Sequence, residues 1–301
     1  MPEAADTAVI VNEVGEIGLD GAILAEAGGL RMAMLANGCV CCMLGSDLAV
    51  TVGQLVNSRS APLRRIVLET SGLSRPGPIL RGLASLAALR LRVNVVATFD
   101  CLRCADVSWS EEAAAQWAGA QALVLTKRDL ATPAQVEAAR AMARGVNPLA
   151  DIIDVGDRSA CILAAFASRP AARLALPDVA GITHPRVGVL LIRWTARPAW
   201  DDVAAWLDNL AGLLGERLLR VKGAVAIADS EQLLLVQSVG TMFSAPRPFA
   251  GPVDTPFLVV IARDTSLDEV RQVAPMLPIA VTRLGNPDPF AQPERGPLMA
   301  T

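Results

Sequence analysis

The feature that most constrains the fold is a series of short runs with unbroken apolar centres in the first half of the chain. They are TAVIV (7–11), RIVLE (65–69), VNVVATF (93–99), ALVLT (122–126) and DIIDV (151–155). A strand with one wet face alternates polar and apolar residues, whereas a strand covered on both faces does not. Helical patterns lie between the runs. Ser46 precedes Leu48, Val52, Leu55 and Val56, and Thr132-Pro133 opens AQVEAARAMARG, with proline in the first turn and Gly145 at the stop. Alternating β and α units of this kind predict an α/β fold with a doubly wound, mostly parallel sheet.

The pattern lapses from Leu174 to Pro185, LALPDVAGITHP, which reads as a linker. Beyond it VGVLLIRWT is a strand, and Val203, Trp206, Leu207, Leu210, Leu213 and Leu214 make an apolar stripe at helical spacing. RLLRVKGAVAIAD, EQLLLVQSVG and PFLVVIA follow as strands, with a closing helix near LDEVRQVAPM. One helix after one strand, then an antiparallel run, predicts a smaller α+β domain. The expected domains are 1–178 and 187–285, followed by a proline-rich tail, 286–301, expected to be disordered.

An apolar share of 52% over 301 residues supplies a sizeable core and excludes disorder throughout. A net charge of -3 gives no electrostatic reason for nucleic acid or an anionic membrane as partner. The opening MPEAADTAVIV carries acids where a secretory signal carries bases, and no apolar run approaches the roughly 20 residues that cross a bilayer. A cytoplasmic protein is expected.

In a reducing compartment clustered cysteines serve metal binding or redox chemistry. Five of the six cysteines fall in two groups: Cys39, Cys41 and Cys42 in ANGCVCCMLGSD, and Cys101 and Cys104 in DCLRC. Cys161 stands alone in CILAAF as a small hydrophobe. Adjacent Cys41 and Cys42 point apart in extended backbone, so two thiolates of the first group with outside ligands are expected around one ion. Thiolates favour tetrahedral Zn²⁺, and the geometry also admits Co²⁺ or Cu⁺. Cys101, Cys104 and a Glu16 oxygen are candidates for the remainder. Alternatively, Cys101 and Cys104 are buried fillers or a C-x-x-C redox pair. The chain is sparing with lysine: of 27 basic residues only Lys127 and Lys222 are lysine.

In open α/β sheets ligands sit beyond the carboxyl ends of the strands. There the sequence places Glu13 and Glu16 in NEVGEIGLDG, Glu69 to Gly72 as ETSG, Asp100 before CLRC, and Thr126 to Asp129 as TKRD. Each has a plain reading as a solvated turn or helix cap. ETSG also suits a magnesium-linked phosphate site. In TKRD, a lysine stem can lie along a purine while the aspartate accepts two N–H bonds from a guanine edge.

With these residues, VNEVGEIGLDG, LANGCVCC, ETSGLSRPGPIL and LTKRDL, in this order and spacing, the chain resembles the CobW family of nucleotide-dependent metallochaperones. These are P-loop GTPases related to HypB and UreG, and the family takes its name from cobalamin biosynthesis. RLLRVKG and LLLVQSVGTMFSAPRPF resemble the family's C-terminal domain, and the likeness runs from about residue 7 to residue 275. The resemblance implies that Cys39, Cys41 and Cys42 are the metal-binding C-x-C-C motif. It places Glu69 near magnesium, Glu13 and Glu16 in a switch-like loop, and Gly72 beside the nucleotide. Thr126, Lys127 and Asp129 become the guanine-recognition residues. It further implies GTP and Mg²⁺ as cofactors, Zn²⁺ or Co²⁺ as cargo, a client protein that receives the metal, and a homodimer as an allowed assembly. Unlike many relatives, the chain has no histidine-rich stretch, its one histidine being His184.

One departure is large. A P-loop needs a glycine-rich turn ending in Lys-Ser/Thr, and the sequence holds none. The family's opening strand, P-loop and first helix, on the order of 30 to 40 residues, have no counterpart before Met1. Their absence would leave two neighbouring strands short of a partner. Either upstream sequence is omitted or this is a degenerate member. GTP hydrolysis by these 301 residues is expected to be very weak or nil. The alternative function is a non-enzymatic metal-binding and protein-interaction member.

Overall fold

The computed structural model describes residues 6–11, 31–34, 44–57, 63–102, 110–167, 186–251, 253 and 255–284. The chain divides into two compact units, residues 1–93 and 94–301.

In the first unit β1 (Thr7–Val11) lies between β2 (Arg31–Met34) and β3 (Arg65–Glu69), parallel to both. β1 is buried at every position but Val9, the pattern of a strand covered on both faces. The helix α1 (Leu44–Asn57) sets Leu48 and Val52, four residues apart and so on one face, against Ile10. Leu55, Ile66 and Leu68 close the margin. Burial of Ile10, Leu48 and Val52 is worth roughly 1.5–3 kcal/mol each. Because α1 begins at Leu44, Ser46 lies in its first turn rather than at its cap. β3 is half-buried, with β1 as its one neighbouring strand among the described residues, and it ends in an exposed Glu69. A short helix, α2 (Pro76–Gly82), starts on proline after an extended Arg75, as the residue before proline must be.

The second unit holds β4 (Val96–Asp100), β5 (Ala122–Thr126) and β6 (Asp151–Ile153), a parallel sheet in the order β4-β5-β6. Central β5 is buried until its last residue. The helices between and after the strands are α3 (Glu111–Gly119), α4 (Pro133–Val146) and α5 (Arg158–Ala165), and each has a side-chain N-cap. Ser110 Oγ accepts from the Ala113 amide at 3.0 Å, and Asp157 Oδ1 accepts from the Ala160 amide at 2.7 Å. Thr132 and Gln135 form a reciprocal capping box.

A seven-stranded antiparallel sheet follows. Its strands are β7 (Val187–Trp194), β8 (Leu218–Val225), β9 (Leu233–Val239), β10 (Met242–Phe243), β11 (Arg247–Phe249), β12 (Phe257–Arg263) and β13 (Ile279–Arg283). The order is β10-β9-β8-β12-β7-β13, with β11 beside β9. α6 (Trp200–Leu214) packs Val203, Trp206, Leu207, Leu210 and Leu214 over one face, against Leu190, Ile192 and Val260. Leu213, expected in that stripe, is exposed. The other face brings Val189, Leu191, Val259 and Ile261 into one core with Phe99 and Leu123 of the parallel sheet and Trp117 of α3. Covering on both sides explains why β7 and β12 are apolar without alternation. The closing helix, α7 (Leu267–Arg271), is short, and β2, β10, β11 and β13 were not anticipated. Gly223 of β8 lies so close to β12 that a Cβ there would stand 2.0 Å from the Phe257 carbonyl oxygen. Among the described residues no helix is long and apolar enough to cross a membrane.

Candidate functional site

The carboxyl ends of β4, β5 and β6 present one rim in the second unit. Asp100, last in β4, is paired across the ladder with Thr126, last in β5. The Cys101 amide donates to the Thr126 carbonyl at 3.1 Å, and Thr126 Oγ1 donates to the Phe99 carbonyl at 3.4 Å. Lys127 has a left-handed backbone, φ 56°. Its ammonium donates to Asp100 Oδ2 at 2.6 Å, and Asp100 Oδ1 accepts from the Leu102 amide at 2.9 Å. A tight turn follows, in which the Leu130 amide donates to the Lys127 carbonyl at 3.2 Å and the Ala131 amide to the Arg128 carbonyl at 3.3 Å. The turn points Asp129 outward, exposed, while Arg128 turns inward to an ion pair with Asp154, just past β6. Arg140 of α4 donates to the other oxygen of that carboxylate.

The predicted residues on this rim therefore come together: Asp100, Cys101, Thr126, Lys127 and Asp129. Cys101 is 2% exposed and belongs to the core with Phe99 and Trp117. In the first unit Glu69 is paired with Val11 at the end of β3, so both strands end at one level. Gly72 occupies the turn that follows, where an added Cβ would meet nothing within 4 Å. Packing therefore does not account for glycine at that position. Glu13, Glu16, Cys39, Cys41, Cys42 and Cys104 lie outside the described residues. Among the described residues no group of three or more His, Cys, Asp or Glu side chains is placed to hold a metal ion.

Two features behind the rim were not picked out from the sequence. Asp154 falls inside the run DIIDV in the sequence, whereas the strand stops at Ile153 and leaves this carboxylate one residue beyond its end. The second feature is the fastening of α3. At its start Glu111 pairs with Arg263 at 2.5 Å and with Arg186 at 3.4 Å. Arg186 also pairs with Asp264 at 2.5 Å. Its guanidinium, hydrogen-bonded to that carboxylate, holds the Asp264 carboxyl below its ordinary pKa. At the far end of α3, Arg220 of β8 donates to the Gly119 and Ala120 carbonyls. Burial lowers the Arg220 pKa to about 10, and burial with the adjacent Arg220 charge lowers that of Lys222 to about 8.

Parallel strands whose loops gather carboxylate, lysine and threonine on one rim, joined to an antiparallel sheet, define an α/β class of protein with its ligand rim beyond the carboxyl ends of the strands. Residues 1–154 match the model of the CobW/HypB/UreG nucleotide-binding domain, and residues 191–273 match that of the cobalamin synthesis protein cobW C-terminal domain. The chain belongs to the CobW/HypB/UreG family. It is 27% identical over 286 residues to the zinc chaperone YjiA of Escherichia coli (strain K12), an alignment covering 88% of this chain and 87% of that protein. It is 26% identical over 278 residues to the zinc chaperone CobW of a Sinorhizobium species, covering 77% of each. A crystal structure of Zn(II)-bound YjiA GTPase from E. coli has the same fold, with a TM-score of 0.63 at 17% identity over 90% of this chain and 98% of that one.

Proposed function

We propose that this chain is a cytoplasmic metal chaperone of the CobW type. It binds Zn²⁺, or a similar ion such as Co²⁺, through Cys39, Cys41 and Cys42 with Glu16, and passes the ion to a client protein. Guanine nucleotide is recognised by Thr126, Lys127 and Asp129. Gly72 lies by the nucleotide, and Glu69 and Glu13 lie on the magnesium and phosphate side. Cys101 and Cys104 are candidates to complete the metal's ligand set.

The observation that carries the reading is the outward Asp129 carboxylate, which has no hydrogen-bond or ion-pair partner among the described residues. It is free to accept the two N–H groups of a guanine edge, and Lys127 stands two residues before it in the same turn. Relatives over most of the chain's length are named zinc chaperones. A nucleotide affects metal release only if the ion binds the two nucleotide states with different free energies.

The test is equilibrium dialysis of the reduced protein against Zn²⁺. About one ion per chain is expected, and its affinity should fall at least tenfold in a Cys41→Ser/Cys42→Ser variant. Unchanged affinity in that variant would remove the case for this site.

A further inference from the structure

Asp154 has no role in the proposal above, yet its surroundings tie it to the base-reading turn. Its side chain is 8% exposed and lies between two guanidinium groups, that of Arg128 and that of Arg140. Arg128 is the middle residue between Lys127 and Asp129. A left-handed Lys127 is unfavourable for a residue with a Cβ, so its surroundings must hold the turn in place. Beyond Thr126, two side-chain contacts among the described residues do so. One is the Lys127 ion pair with Asp100, which is partly exposed, with Lys127 at 49%, and therefore screened. The other is Arg128 with Asp154, in which the guanidinium is 31% exposed but the carboxylate is buried and braced from behind by Arg140. The Arg128 guanidinium also lies over the next loop, where a Cβ on Gly156 would stand 3.4 Å from Nη1.

We infer that Asp154 is a positioning residue for base recognition. By fixing Arg128 it sets the direction in which Asp129, the next residue, presents its carboxylate. Without the Asp154 charge Arg140 keeps Glu137 at 3.3 Å, whereas Arg128 loses its carboxylate, and the turn loses its inner anchor. The inference rests on the base-reading role proposed for Asp129, and it extends that role to selectivity among purines.

Hypoxanthine lacks the exocyclic amino group that Asp129 would accept from, so the ratio of GDP to IDP affinity reports the aim of that one carboxylate. The full chain is titrated with each nucleotide at millimolar concentrations and observed by saturation-transfer NMR, with circular dichroism melting in parallel. The parent chain should favour GDP by roughly tenfold or more, the size of one charge-assisted hydrogen bond. Asp129→Ala should remove the preference. Asp154→Asn and Arg128→Gln should each reduce it to about twofold or less, and Arg128→Lys should restore part of it. A role in stability alone would weaken both nucleotides equally and leave the ratio intact, which would overturn the inference. If Asp154→Asn does not fold, Arg128→Gln carries the test, because Asp154 then keeps Arg140. A parent chain with no preference would refute the base-reading role itself, and this inference with it.

Discussion

Arg220 and Gly119 are joined by a hydrogen bond from the guanidinium Nη1 to the carbonyl of the last residue of α3, and the same nitrogen reaches the Ala120 carbonyl at 3.0 Å. The last carbonyls of a helix have no partner within it, and burial makes that costly. Asn147, the C-cap of α4, covers the others. Its Nδ2 donates to Trp117, Ala118 and Ala120 at 2.7, 3.0 and 2.9 Å. Two residues from different elements thus close the end of α3, and a cation there also suits the helix dipole.

Arg220→Met should therefore destabilise the protein by about 1–3 kcal/mol, since the Gly119 carbonyl loses its side-chain partner in a buried place. Arg220→Lys should recover part of that loss. Urea unfolding of the three proteins measures it, and an unmoved midpoint in the methionine variant would contradict the account.

Asn147→Asp should be worse than Asn147→Ala. Alanine removes donors, whereas aspartate sets a carboxylate against three carbonyl oxygens. The new carboxyl would be kept protonated in the folded state, so its folded pKa lies above its unfolded one. The stability of the aspartate variant should then be greatest below about pH 4 and fall as pH rises toward neutrality. Thermal melts of both variants at pH 4 and pH 7 should show the gap widening.

Lys222 gives the opposite dependence. Its pKa falls from an ordinary 10.5 to about 8, through burial first and the Arg220 charge second. Below pH 8 it is charged folded and unfolded, and the cost of burying the charge is fully present. As pH rises from about 8 toward 10.5 the folded protein gives up its proton first, so stability rises. Lys222→Met should be more stable than the parent at pH 7, with the difference shrinking at pH 10. Equal stability at both would show that Lys222 is well solvated.

Asp264 is the acid-side counterpart. With its folded pKa depressed by Arg186, it contributes stability above the ordinary carboxylate pKa, lost as pH falls through the lower folded value. Both partners are substantially exposed, so the effect of Asp264→Asn should be small and should fade in high salt. Acid titration of unfolding at low and high ionic strength checks this.

Much of this architecture was legible because burial on two faces leaves a plain mark. TAVIV, RIVLE and ALVLT coincide with β1, β3 and β5 to the residue. RMAM does not announce β2, since four residues beginning with arginine carry neither a period nor a run. IAVTR hid β13 behind a proline and beside a proline-rich tail. The rim was legible for the complementary reason: Asp100, Thr126 and Lys127 stand where apolar runs stop. Asp154 and Asn147 were not, because each acts on a residue distant in sequence, and a lone Asp or Asn reads as turn chemistry. Arg220 does mark itself in the sequence, as a guanidinium inside the otherwise apolar LLRV.

Gly223 has a consequence for how this sequence can vary. The Phe257 carbonyl oxygen occupies the place of its Cβ, and that oxygen belongs to the backbone of a central strand and cannot swing aside. A codon-saturation library at position 223 should return glycine alone, while its neighbour Lys222 accepts apolar replacements. Tolerance to drift would thus change from wide to none across a single peptide bond.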